Sequence, residues 1–84
     1  MTFWLSFADG NRPKGTQLLG VCIVDAPDFL AAIHLCHKIG INPGGEVQGG
    51  PFPPGLTLPE GYKNRLLTRA EAEEAENLLA VGDA

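Results

Sequence analysis

Apolar residues alternate along the first stretch of the chain. Phe3, Leu5 and Phe7 fall on one side, and Trp4, Ser6 and Ala8 on the other. A period of two with aromatic residues predicts a strand over residues 2–8. Asp9 to Gly15 carries Asp-Gly, Arg-Pro and a closing glycine, the chemistry of a turn. A second strand is predicted over 16–24, with Leu19, Val21 and Ile23 on one face and Leu18, Gly20, Cys22 and Val24 on the other. The short connection makes the pair an antiparallel hairpin. Both faces of the second strand are apolar, and one helix covers only one face of a small sheet. The second helix, the long loop or a second copy of the chain must cover the other, which leads to the expectation of a homo-oligomer.

Asp25-Ala-Pro-Asp28 predicts a helix start, with Asp25 as cap and Pro27 in the first turn. Phe29, Ile33 and Cys36 share one face, with Leu30 and His37 at its edge. Lys38 suits the last turn and Gly40 the stop. His37 is expected to be partly buried and hydrogen-bonded. The segment from Gly40 to Gly61 holds seven glycines and five prolines in 22 residues. Connections of that length are rare in compact domains and are often functional. Within it, residues 45–49 predict a short edge strand that Pro51, Pro53 and Pro54 bring to an end. Phe52, Leu56, Leu58 and Tyr62 are expected to hold the loop on the core. Leu66 to Leu79 predicts a second helix, with Thr68 and Glu71 as a capping box and Ala72, Ala75 and Leu79 as a weak apolar stripe. The fold class is therefore α+β, a small antiparallel sheet in ββαβα order with two helices and a long Gly/Pro-rich loop. Residues 1–80 form one domain and 81–84 a fraying tail.

Composition narrows the function classes. The chain has 84 residues, 44% of them hydrophobic. A chain of this size buries about 63% of its extended surface, a single thin core. No apolar run approaches a membrane span, and the N-terminus lacks the basic region of a signal peptide, so a cytoplasmic protein is expected. Cys22 and Cys36 are too few for a disulfide framework and read as reduced, buried thiols. The net charge of −4 argues against duplex nucleic acid as a partner. Glu71, Glu73, Glu74 and Glu76 account for most of the imbalance, and the rest of the chain is close to neutral and compatible with a small anionic ligand.

The richest candidate site is Asn42-Pro-Gly-Gly-Glu-Val-Gln-Gly-Gly50. Gly44 and Gly45 can turn backbone N–H groups toward an anion, and Asn42, Glu46 and Gln48 can read a base edge or a ribose hydroxyl. The competing reading makes the glycines purely geometric, a tight turn into an edge strand. Gly10 to Thr16 is not a phosphate loop, because Lys14 precedes its glycine and a strand follows. Arg12 in this turn can add charge at the rim of an anion site. Lys63, Arg65 and Arg69 form a second basic cluster beside Tyr62, with Arg65 suited to phosphate and Tyr62 or Trp4 to stacking on a base. His34 and His37 flank Cys36, but two or three such residues on one turn do not make a metal site. No nucleophile–base pair stands out, so no enzyme, metal or cofactor is expected.

The motifs Phe3-Trp-Leu-Ser-Phe, Arg12-Pro-Lys-Gly, Leu19-Gly-Val and Gly40-Ile-Asn-Pro-Gly-Gly-Glu-Val-Gln-Gly49 resemble a family of small bacterial and phage-associated proteins. The resemblance runs from residue 3 to about 71 and implies no assigned activity. Relatives often carry Cys where this chain has Ile41, so the resemblance implies no thiol role there in this chain. A weaker analogy is to phage anti-defence proteins that sequester nucleotide immune signals, which are short, oligomeric and non-enzymatic. The leading expectation is a non-catalytic, homo-oligomeric protein that binds a small anionic ligand, a nucleotide above all, through Asn42, Gly44, Gly45, Glu46, Gln48, Arg12, Arg65, Trp4 and Tyr62. The alternative is a protein-interaction module that docks a partner on its apolar sheet face and Pro-rich loop, steered by the acidic helix.

Overall fold

A computed structural model describes residues 1–53, 55–78 and 80–81. Strands β1 (Thr2–Ala8) and β2 (Leu18–Asp25) form the expected hairpin, with Phe3 opposite Val24 and Leu5 opposite Cys22. Strand β3 (Glu46–Pro51) pairs antiparallel with β1 on the far side from β2, and the two-residue β5 (Leu66–Leu67) pairs with β2. The sheet order is β3-β1-β2-β5. Helices α1 (Phe29–Lys38) and α2 (Arg69–Leu78) complete an α+β fold, with β4 (Leu56–Thr57) and β6 (Ala80–Val81) as a separate ribbon. Among the described residues, no helix is long and apolar enough to cross a membrane.

The alternation along β1 and β2 builds two cores. Phe3, Leu5, Phe7, Cys22 and Val24 are buried on one face beneath α1, where Ala32 and Cys36 face them. The rings of Phe3 and Phe29 pack at 6.0 Å with a 57° tilt. Full burial of side chains such as Phe7 and Leu5 contributes roughly 1.5–3 kcal/mol each. On the opposite face Ile23, Leu67 and Ala75 are buried, with Val21, Phe52, Leu58, Tyr62 and Ala72 packed around them. Helix α2 and the segment after β3 thus cover this second face, so its cover does not require a second copy.

Several boundaries differ from expectation, each for a local reason. Asp25 does not cap α1, because it is the last residue of β2 and its carboxylate accepts from the Thr2 hydroxyl at 2.5 Å. Asp28 is the cap and accepts from the Ala31 N–H at 2.7 Å. The buried stripe of α1 centres on Ala32 and Cys36. Leu30 and His37 sit roughly a third of a turn away from it, and both are exposed. Leu66 and Leu67 join the sheet instead of opening α2, which starts after the capping box. In that box the Thr68 N–H donates to Glu71 at 3.1 Å and the Glu71 N–H to the Thr68 hydroxyl at 3.2 Å. Val81, expected in the tail, pairs with Leu56, whereas residues 82–84, Leu79 of the α2 stripe and Pro54 of the loop lie outside the described residues.

Pro51 is the last residue of β3, inside the strand and two positions beyond the expected end. The Phe52 N–H donates to Thr2 at 2.8 Å, which makes positions 46, 48 and 50 the ones bonded to β1. The Pro51 nitrogen points away from the sheet, where a missing N–H costs no ladder bond.

Both thiols are fully buried and free. The Cys22 S–H donates to the Ile41 carbonyl at 3.4 Å. Burial, with the neighbouring Cys36 sulfur second, pushes the Cys22 thiol up to about 12, and burial also raises that of Cys36. Thiolate is the reactive form, so native protein at pH 8 should leave both cysteines unlabelled by a disulfide reagent, and denatured protein should titrate two per chain.

Candidate functional site

The second sheet face forms the floor of an apolar groove. Antiparallel pairing lines Ile23, Trp4 and Gly50 up in one row and Val21, Ser6 and Gln48 in the next. Residues directly opposite share a face. Gly50 has no side chain, and a Cβ there would meet nothing within 4 Å, so the flank of the Trp4 indole lies open. Trp4 keeps 41% of its surface exposed although it stands in a central strand. Phe52, Pro53, Leu56 and Leu58 wall this floor on one side, and Ala72, Ala75 and Glu76 of α2 on the other. They bound a groove of about 440 Å³ that is apolar except for Glu76. The slim alanines at the inner turns of α2 leave this space; a larger side chain at Ala72 would fill it.

The residues expected to hold an anion do not converge there as a group. Gly44 and Gly45 both have positive φ, 86° and 76°. The Gly44 N–H is already used, donating to the Asn42 side-chain oxygen at 2.8 Å. A Cβ at Gly45 would come within 2.4 Å of the Ala8 carbonyl oxygen. The turn that starts β3 therefore accounts for Asn42 and both glycines geometrically. Glu46 and Gln48 are exposed on the same face as Trp4, as the alternation requires. Arg12 lies at this end of the sheet, in the turn closed by the Asp9 N–H to Gln17 bond at 2.8 Å, and is exposed.

Arg65 and Tyr62 sit at the β5 edge, three strand spacings from β3, or roughly 14 Å. Arg65 donates to the Gly61 carbonyl at 2.7 Å and to Glu71 at 2.6 Å, with its guanidinium 5.8 Å from the Tyr62 ring centre. These partners hold its charge on the protein itself. The Thr68 N–H and then Arg65 hold the Glu71 carboxyl below the usual carboxylate range. At the far end of the hairpin, the Thr2 hydroxyl and then Lys63 at 3.3 Å keep Asp25 low as well. His34 and His37 are exposed while Cys36 is buried, and among the described residues no three His, Cys, Asp or Glu side chains group as metal ligands.

Of the groove lining only Trp4 is among the expected site residues; Val21, Ile23, the loop residues from Phe52 to Leu58 that line it, and Ala72, Ala75 and Glu76 are not. The signal for Val21 and Ile23 was present: the apolar face of β2 turned away from α1. Nothing in the spacing of the later residues tells which part of the long segment returns over that face.

The turn predicts an asymmetry. Gly44→Ala should cost the αL strain of about 1–2 kcal/mol, and Gly45→Ala clearly more, because its Cβ also meets backbone; chemical denaturation measures both. Tyr62, the sole tyrosine, donates to Glu74 at 2.5 Å, and this bond to a carboxylate raises the phenol above its usual value. Its absorbance titration should lie above that of a free tyrosine and drop back in Glu74→Gln. The raised value means the bond stabilises the fold at neutral pH and is lost as pH rises through the phenol's titration. Comparison with protein-family models, curated proteins and solved structures gives no match, so the functional reading rests on the geometry of this chain.

Proposed function

We propose that this protein is a non-catalytic binding module that seats an apolar side chain of a protein partner in the groove over Trp4. The observation that supports this most is the composition of that groove. The second sheet face supplies its floor and the Pro-rich segment its wall, the two surfaces expected to dock a partner. At about 440 Å³ it suits one or two apolar side chains, within the range of small-ligand sites. The rigid ring of Pro53 in that wall lowers the entropy lost on binding. The acids of α2 and Glu76 at the rim favour a partner whose apolar anchor is flanked by Lys or Arg.

A second reading keeps the nucleotide. Trp4, Glu46 and Gln48 share one face, so a base stacked on the indole would have hydrogen-bonding groups beside it, with Arg12 at the same end. The groove ranks first because its walls are apolar and its one charge is negative.

One experiment separates them. A displayed random-peptide library is selected on the protein, and the selected peptides and a nucleotide panel are titrated against the emission of Trp4, the sole tryptophan. The groove reading expects peptides with a common apolar anchor and basic neighbours, with binding weakened at least tenfold by Ala72→Phe, which fills the groove. Binding of a nucleotide that Ala72→Phe leaves unchanged and Gln48→Ala weakens would overturn it in favour of the second reading.

A further inference from the structure

Among the described residues, strand β3 is an edge of the sheet with a defined hydrogen-bonding pattern. Positions 46, 48 and 50 face β1, so the N–H and C=O groups of Val47 and Gly49 point outward. Pro51 offers outward only a carbonyl. Such an edge is a template for a further strand.

We propose that a second copy of this chain adds to this edge, β3 against β3 and antiparallel, and that its Glu46 completes the rim of the Trp4 groove. This rests on the groove reading above for its functional consequence, but not for its geometry. A two-fold axis centred on Gln48 sets Val47 opposite Gly49 of the partner subunit. Both groups of both residues are then paired, giving four main-chain hydrogen bonds. Moving the axis to Gly49 would set the Val47 carbonyl against a proline, which has no N–H to give. Moving it to Val47 would set Gly49 against Gly45, whose φ of 76° turns the chain out of the ladder. The register centred on Gln48 is therefore the self-complementary one.

The side chains agree with that register. Gln48 meets Gln48 of the partner subunit, and an amide is both donor and acceptor. Glu46 meets the partner's Gly50, so no like charges are opposed. On the second face the row Ile23, Trp4, Gly50 continues into the partner's Glu46. Gly50 leaves the gap that this carboxylate overhangs, two strand spacings from Trp4. The groove then carries an acid on each rim, Glu76 from its own chain and Glu46 from the partner, with the indole between. That pattern fits a cationic group on an apolar stem, such as a Lys or Arg next to the anchor.

Sedimentation of the unliganded protein over a dilution series to submillimolar concentration tests the pairing. The expected result is a monomer–dimer equilibrium. Gly50→Glu, at a site open to a side chain, should weaken it on the order of tenfold by opposing two carboxylate pairs, and adding Glu46→Lys should restore it. Val47→Pro removes an outward N–H and also trims a side chain packed on the first core, so it should weaken the dimer in protein whose circular dichroism stays native, while Val47→Ala, which keeps the N–H, should not. Trp4 emission should follow the same dilution curve. A wild-type monomer throughout, or a dimer indifferent to Gly50→Glu and Val47→Pro, overturns the pairing. A dimer whose Trp4 emission stays constant on dilution removes Glu46 from the groove and overturns that half. Because no ligand is present, none of these outcomes bears on whether the groove binds peptides.

Discussion

The β1–β2 hairpin has no polar face, and the rest of the molecule answers that constraint. Every position from Phe3 to Phe7 and from Val21 to Val24 except Ser6 carries an apolar side chain. A sheet with two apolar faces must be covered twice, or it associates. One face is closed by α1, which supplies Ala32 and Cys36 as close contacts and Phe29 as the aromatic partner of Phe3. The other is closed by a less regular layer: Phe52, Leu58 and Tyr62 of the loop, the two-residue β5, and α2.

The difference between the two covers explains where the groove lies. A helix with a continuous stripe fills its side of the sheet. The second cover is built from separate side chains on a Pro-rich segment and from a helix whose inner residues are alanines. It closes over Ile23 and Leu67 but stops short of Trp4, where Gly50 adds no bulk. Electrostatics tie this layer to the hairpin through Lys63 with Asp25, and join its own parts through Arg65 with Glu71 of α2. Both pairs are at the surface, where each contributes at most about 1 kcal/mol. They hold the second cover in place more by geometry than by energy, and they occupy cations that would otherwise be available to an anion.

The Gly-rich motif reads differently once it is folded. Asn42, Gly44 and Gly45 serve the turn that brings β3 alongside β1, with Gly45 held against the Ala8 carbonyl. The side chains left to act are those of the strand itself, Glu46 and Gln48, and they stand on the Trp4 face. Thus the motif and the apolar groove are two parts of one surface, joined through Gly50.

Much of this was legible in the sequence. The period-two pattern determined β1, β2 and, from Gly20 onward, the two faces of β2, and the Thr68–Glu71 box marked the start of α2, because these signals are local; a bulge opposite Phe7 and Ala8 moves Leu19 to the α1 core and Leu18 to the other face, against the alternation. Alternation puts Glu46 and Gln48 on one face of β3, and the pairing of β3 with β1 makes that the Trp4 face. Tertiary structure decided the rest. Asp25 could cap a helix or end a strand, and the Thr2 hydroxyl across the ladder settled it. Leu66 and Leu67 suit a helix by propensity, but pairing with Val21 and Cys22 made them a strand. Pro51 could be in β3 only because its nitrogen points outward, a matter of register. Arg65 and Gln48 were grouped by chemistry and separated by strand order. Each of these depends on which distant backbone lies alongside, and the physical cause is long-range pairing and burial, which local sequence does not encode.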